Sequence, residues 1–244
     1  MTFNEVFCNT FKAIGQRMEP QTRQRVNFML PTMTMVQACR ANDFELFKPY
    51  IKTGVITEAQ MHHAAERYYL GKSLSGCPIF WMIDDMLTPL DARIGDTWLS
   101  KVLKQRHQIL ESWNVRHCLF GEHLLHHPTP GPSPYKGGEQ SISIVESEHS
   151  AVVLSEMFPE GIWLAYVYTC NLTPELLAPL QGRQVTIYPR TDPTMSTYVF
   201  FLDYAQLVRQ RYNIQLRIDS TLEYHTTTEQ KERCIDILDF ILES

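Results

Sequence analysis

At 244 residues the chain has room for one large domain, or for a compact domain with a smaller lead-in, and either can bury a substantial core. Its 44% hydrophobic and 20% charged content is that of a globular protein, and the net charge of −5 excludes a globally basic nucleic-acid binder while leaving room for a local basic patch. The six cysteines are dispersed without a C-x-x-C pair, and no secretory h-region or membrane-length apolar run is present, so the expectation is a cytoplasmic protein with reduced thiols, no zinc ribbon and no membrane partner.

Residues 1–64 read as a helical, partly basic N-terminal region. Lys12, Arg17, Arg23, Arg25 and Arg40 outnumber Glu5 and Glu19, the pattern of a solvated helix or of an arm that touches a phosphate backbone. A Met-rich packing segment follows at Met29, Met33 and Met35 around Pro31. Asn42 to Ile51 carries apolar residues at near-helical spacing until Thr53-Gly54 breaks it. Thr57-Glu-Ala-Gln60 is a capping box that opens a helix running to Tyr69 or Leu70, with Gly71 as its stop. The adjacent His62 and His63 point about 100° apart on that helix, a poor arrangement for joint metal ligation.

Residues 65–127 read as an α+β lead-in. Cys77-Pro-Ile-Phe-Trp-Met-Ile-Asp84 is a strand, dominated by aromatic and β-branched residues. Thr97–Gln105 and Ile109–Trp113 read as short helical pieces, with Lys101, Lys104 and Arg106 forming either a solvated face or one that meets a nucleic-acid groove. His123 and His127 stand at the i, i+4 spacing of two zinc ligands, flanked by His117 and His126. Leu124 occupies the place where a zincin carries its general base, so a histidine-flanked helix end is the better account.

Residues 128–140, rich in proline and glycine, form a linker, and 141–244 form the main domain. Strands are expected at Ile142–Glu146, Ile162–Val167, Gln184–Tyr188 and Ile214–Ile218. Helices are expected between them at Glu148–Phe158, Pro174–Leu180 and Thr197–Tyr212, with a closing helix over Thr228–Leu242. This alternation predicts a mostly parallel four-stranded sheet flanked by helices. Two of the strands end in carboxylates, Glu146 directly and Asp192 a few residues on, where open α/β sheets bind ligands.

Ile144-Val-Glu-Ser-Glu-His-Ser-Ala151 resembles the first motif of the toprim domain, typically V-E-G-x-x-D-A, and Val185-Thr-Ile-Tyr-Pro-Arg-Thr-Asp192 resembles its second, typically ending in D-x-D. Tyr69-Leu-Gly-Lys72, Ile79–Asp84, Cys118–Leu125 and Trp163-Leu-Ala165 extend the likeness to primase-related toprim proteins of bacterial mobile elements, over roughly residues 65 to 242. The zinc-ribbon cysteines that often precede the matching region in those proteins are absent. The resemblance implies a toprim-like fold, nucleic acid as partner together with replication or mobilisation proteins, and phosphodiester chemistry supported by magnesium. It makes Glu146 the catalytic acid–base, and Glu146 with Asp192 the metal ligands.

The second motif departs from that pattern. Arg190 stands where the first Asp of D-x-D belongs, Ser147 and Ser150 replace a Gly and an Asp of the first motif, and bulky Tyr166-Val-Tyr-Thr-Cys-Asn171 replaces the glycines that often follow the second strand. Three readings are therefore open. One is a Mg-dependent primase- or nuclease-like site, active or residual. Another is a non-catalytic module that keeps the fold and holds nucleic acid or a replication partner through Arg190 and Arg183. The last is plain structure, with Glu146 and Arg190 an ion pair at the sheet edge.

Overall fold

The structure, a computed structural model, describes residues 30–105, 117–125, 140–167 and 172–244. Glu5, Lys12, Arg17, Glu19, Arg23, Arg25 and Met29, the helical piece at 109–113, Arg106, His126, His127 and all but the last residue of the 128–140 linker lie outside the described residues. The chain folds as two compact units, the first running to Cys118 and including Glu122–Leu124, the second taking Leu119–Gly121 and the chain from Leu125. No helix among the described residues is long and apolar enough to cross a membrane.

The first unit is built on an antiparallel sheet with strand order β1-β2-β3-β4, from β1 (Gly71–Lys72), β2 (Pro78–Ile83), β3 (Pro89–Ile94) and β4 (Thr97–Trp98). The expected strand at Cys77–Asp84 is β2, and the Thr57 capping box opens a helix at Glu58–Arg67. Ile79, Trp81 and Ile83 pack with Ala92 and Ile94 against Met35, Val36 and Cys39 of the helix Met33–Cys39 and Leu99, Val102 and Leu103 of the helix Leu99–Gln105.

Three expectations for this unit need correction. Gly71 does not stop the preceding helix: Tyr69 takes the left-handed turn at φ 53°, while Gly71 opens β1, where a Cβ would lie 3.1 Å from both Cys39 Cβ and Trp81 Nε1. Asn42–Ile51 is a 3-10 turn at Glu45–Phe47 followed by a short helix, Lys48–Lys52, with Pro49 in its first turn. Thr97–Gln105 is divided, because Gly95 turns the chain at φ 57° and Thr97 pairs with Ile94 before the helix begins at Leu99.

His123 is fully buried in a 3-10 turn at Glu122–Leu125, with Nε2 3.0 Å from the Arg67 carbonyl and its ring edge-on to Tyr69. That contact gives the ring a structural role.

The second unit holds a parallel sheet of order β6-β5-β7-β8, from β5 (Ile142–Val145), β6 (Ile162–Ala165), β7 (Gln184–Ile187) and β8 (Gln215–Ile218). Every residue of β5 and β6 is buried, whereas β8, at the sheet's edge, alternates with solvent. A strand buried on both faces needs a near-continuous apolar run, as Ile-Trp-Leu-Ala of β6 supplies. Helices occur at Glu148–Met157 and Ser196–Tyr212 close to the expected bounds, and Pro174–Leu180 is a 3-10 helix with Pro179 inside it.

The expected closing helix is broken into Thr228–Glu232 and Ile237–Glu243, after a further helix at Thr221–His225. Cys234 adopts φ 53°, which ends one helix, and Asp236 caps the next by accepting from Leu238 N (2.9 Å) and Asp239 N (3.0 Å). The break is what makes Asp236 available to the rest of the unit.

In the first unit Asp91 is fully buried and accepts from Ala92 N (2.8 Å), Ser100 N (2.9 Å) and the Ser100 hydroxyl (2.5 Å). Burial pushes its carboxyl up, and these donors oppose the rise. Removing the acceptor strands buried donors, so Asp91→Ala is expected to cost about 1–3 kcal/mol, measured as a lower urea midpoint at unchanged slope.

Candidate functional site

From the central β5 the chain crosses to β6 on one side, and from β7 it crosses to β8 on the other. Such a reversal opens a crevice beyond the carboxyl ends of β5 and β7, the usual ligand position in an open α/β sheet. Glu146 follows β5 and Arg190 follows β7, so sequence order alone delivers both to this crevice. Arg190 Nε lies 3.2 Å from Glu146 Oε2, with the Glu146 side chain 17% exposed and that of Arg190 48% exposed. The pair is thus sunk at its acidic end and open at its basic end. Burial pushes the Glu146 carboxyl up; Arg190 opposes that rise and the charge of Asp236 adds to it.

Tyr166 forms the floor beside the pair. Its backbone N–H donates to Val145 O (3.1 Å), and the next N–H, of Val167, donates to Glu146 O (2.8 Å), which ties the end of β6 to the end of β5. The side chain is 3% exposed and its ring packs on Phe201 at 5.2 Å. Among the described residues its hydroxyl has no hydrogen-bond partner, and burial together with the Glu146 charge raises its pKa well above the ordinary phenol value.

A hydroxyl chain borders the crevice. Ser147 caps the helix Glu148–Met157 by accepting from Ser150 N at 3.2 Å. The Ser147 hydroxyl donates to Ser150 Oγ (2.8 Å), and the Ser150 hydroxyl donates to Asp236 Oδ2 (2.5 Å). With both hydroxyl protons committed, His149 Nδ1, 3.0 Å from Ser147 Oγ, must be the donor of that contact. The two serines therefore bind the helix Glu148–Met157 to the cap of the helix Ile237–Glu243.

Asp192, expected as a metal ligand, accepts from the residues that follow it. Oδ1 accepts from Thr194 N (2.8 Å), the Thr194 hydroxyl (2.6 Å), Ser196 N (3.1 Å) and the Ser196 hydroxyl (3.2 Å), and Oδ2 accepts from Thr197 N (2.7 Å). The carboxylate holds the start of the helix Ser196–Tyr212, where the left-handed Met195 (φ 59°) supplies no cap of its own. Although burial pushes the Asp192 carboxyl up, these donors outweigh it and hold the group far below the ordinary carboxylate range.

Arg183 precedes β7 and donates to the Leu125 carbonyl at 3.3 Å, so it sits at the opposite end of that strand from Arg190. The two arginines do not converge on one phosphate. Among the described residues no group of three or more His, Cys, Asp or Glu side chains is arranged to hold a metal ion. Sequence reasoning missed Asp236, although Asp236-x-x-Asp239 is a readable cap signal, and it marked Tyr166 only as a bulky residue after the second strand, not as a buried hydroxyl beside Glu146.

A separate open cleft of ≈ 820 Å³ lies in the first unit, lined by residues that include Phe44, Lys48, Lys52, Met61 and His62. Three of its lining charges are paired, Lys48 with Glu45 at 2.5 Å and Asp43 with Lys72 at 3.4 Å. Glu146, Arg183, Arg190 and Asp192 are not among its lining residues.

Residues 88–191, a stretch that includes Glu146 and Arg190 but less than half of the chain, match the model of a family described as a domain of unknown function, DUF6371. No curated protein and no solved structure matches the chain.

Because the cap depends on the ionised Asp192, Asp192→Ala is expected to cost about 1–2 kcal/mol at neutral pH. The folded pKa lies below the unfolded value of about 3.9, so this contribution is complete well above pH 4 and is lost as pH falls through the folded pKa. Wild type and variant should accordingly converge in stability under acid in denaturant titrations, and a constant gap down to the lowest pH would contradict the assignment.

Proposed function

We propose that the second unit is a toprim-like, nucleic-acid-associated module, related to the primases of mobile elements, that has lost metal-dependent phosphoryl transfer and holds phosphate through Arg190. The carrying observation is the 3.2 Å contact of Arg190 with Glu146 at the switch-point crevice. A guanidinium in the slot of a metal-binding acid supplies a permanent positive charge where magnesium would otherwise supply one. Magnesium requires several oxygen ligands in near-octahedral order. Glu146 is ion-paired and Asp192 is saturated by helix-capping donors, so these residues do not fit the ion.

Arg190 can accept a phosphate without rearrangement of the fold. Only its Nε faces Glu146, and the half-exposed side chain retains further N–H donors for the planar, bidentate contacts that guanidinium makes with phosphate oxygens. The chain's net charge of −5 repels polyanions at long range, so binding must rely on this local contact and fade quickly as salt rises.

The test is single-stranded DNA binding by fluorescence anisotropy across a salt series. Wild type should bind with an affinity that falls as salt rises, Arg190→Ala should lose about tenfold or more, and Arg183→Ala should change little. Saturable magnesium binding at millimolar concentration, abolished by Glu146→Gln, would instead establish the metal enzyme and overturn the proposal.

A further inference from the structure

We infer that Glu146 is the resident occupant of a tetrahedral-anion site, and that a dianionic terminal phosphate takes the site by displacing this carboxylate from Arg190. The inference rests on the phosphate-holding role given to Arg190 but not on nucleic acid being the source of the phosphate.

Arg190 faces the Glu146 carboxylate from the turn after β7 at 3.2 Å. Tyr166 follows β6 as Glu146 follows the neighbouring β5, and it brings a buried hydroxyl that has no partner among the described residues yet feels the charges of Glu146, Arg190 and Asp236. A buried hydroxyl without a partner carries a desolvation penalty, which an incoming oxygen acceptor would remove. The other charge acting on Glu146 is that of Asp236, a second acid, whose Oδ2 accepts from the Ser150 hydroxyl.

Charge selects among phosphates. An internal phosphodiester is a monoanion with no Coulombic advantage over the carboxylate on Nε and so is left to the outer N–H donors of Arg190, whereas a phosphate monoester offers up to twice the charge and can take the place of Glu146 itself. The expelled Glu146 stays in a partly buried place beside Asp236, conditions that favour its neutral form, so displacement should draw a proton from solvent. Ligand and proton then bind together: the monoester or sulfate replaces the carboxylate on Arg190, and the carboxylate becomes a carboxylic acid.

Sulfate is the suitable probe, since it remains a dianion over the working range and its own titration does not intrude. Calorimetry on the full chain, at about pH 5.5 and about pH 7.5 and in two buffers of different ionisation enthalpy, should show sulfate binding that tightens as pH falls and takes up protons. In Glu146→Gln sulfate should bind about tenfold tighter at the higher pH, with the proton uptake gone; Arg190→Ala should lose about tenfold, and Tyr166→Phe should weaken binding by a few fold. Arg190→Lys, which keeps the charge, should retain part of the affinity and so separates lost binding from lost folding. Weaker or unchanged binding in Glu146→Gln, or proton uptake that persists in it, overturns the inference.

Oligonucleotides with and without a 5′-phosphate identify the source. Preference for the phosphorylated end assigns the site to nucleic-acid termini, and sulfate binding without that preference assigns it to a free anion. If DNA binds through Arg190 while sulfate fails to bind, this inference falls and the proposed function stands; sulfate binding without DNA binding does the reverse.

Discussion

The Glu146–Arg190 ion pair is the contact on which the chemistry of the second unit turns. Its two partners leave adjacent parallel strands at the point where the sheet's connections change direction, so the fold itself creates their proximity. The carboxylate is largely sheltered and the guanidinium half exposed. An arrangement of this kind contributes little to stability, because solvent screens the open end while burial taxes the closed one. Its importance lies in which charge occupies the crevice. A fixed cation that needs no ligand shell stands at the carboxyl ends of the central strands.

The surrounding acids are committed to architecture. Asp192 is fully engaged at the start of the helix Ser196–Tyr212, and Asp236 shares its oxygens between the cap of the last helix and the Ser150 hydroxyl. The result is a set of capped helix starts around one charge pair. The buried Tyr166 hydroxyl is the exception, a donor without an acceptor among the described residues.

Much of the second unit was legible because its elements obey local rules. Apolar β-branched runs that end at Glu146 and near Arg190 read as strands, and periodic segments read as helices, with bounds that shift by only a residue or two. The closing helix misled because its apolar spacing continues through Cys234, where the backbone takes a left-handed turn that no glycine announces. In the first unit β3 escaped notice for a related reason: Pro-Leu-Asp-Ala-Arg-Ile is short and interrupted by charges, and its place is fixed by pairing with β2 rather than by propensity. Gly71 read as a helix stop although its real constraint is the close approach of Cys39 and Trp81, a contact between segments distant in sequence.

The site was legible in part. Glu146, Asp192 and Arg190 all stand out in the chain as residues of consequence, but whether a carboxylate caps a helix or waits for a metal depends on the backbone N–H groups that face it. Only the fold supplies those. Likewise Arg183 and Arg190 look equivalent in sequence, and a single short strand places them at opposite ends of the sheet.

The most direct measurement is the titration of the Glu146 carboxyl by carbon-detected NMR, in wild type and in Arg190→Ala. The account predicts a Glu146 pKa above the ordinary glutamate value in the wild type, raised further once Arg190 is removed, because burial and Asp236 then act unopposed. A Glu146 pKa that is ordinary and indifferent to the loss of Arg190 would contradict it, for the two groups would then not meet in a sheltered crevice at all.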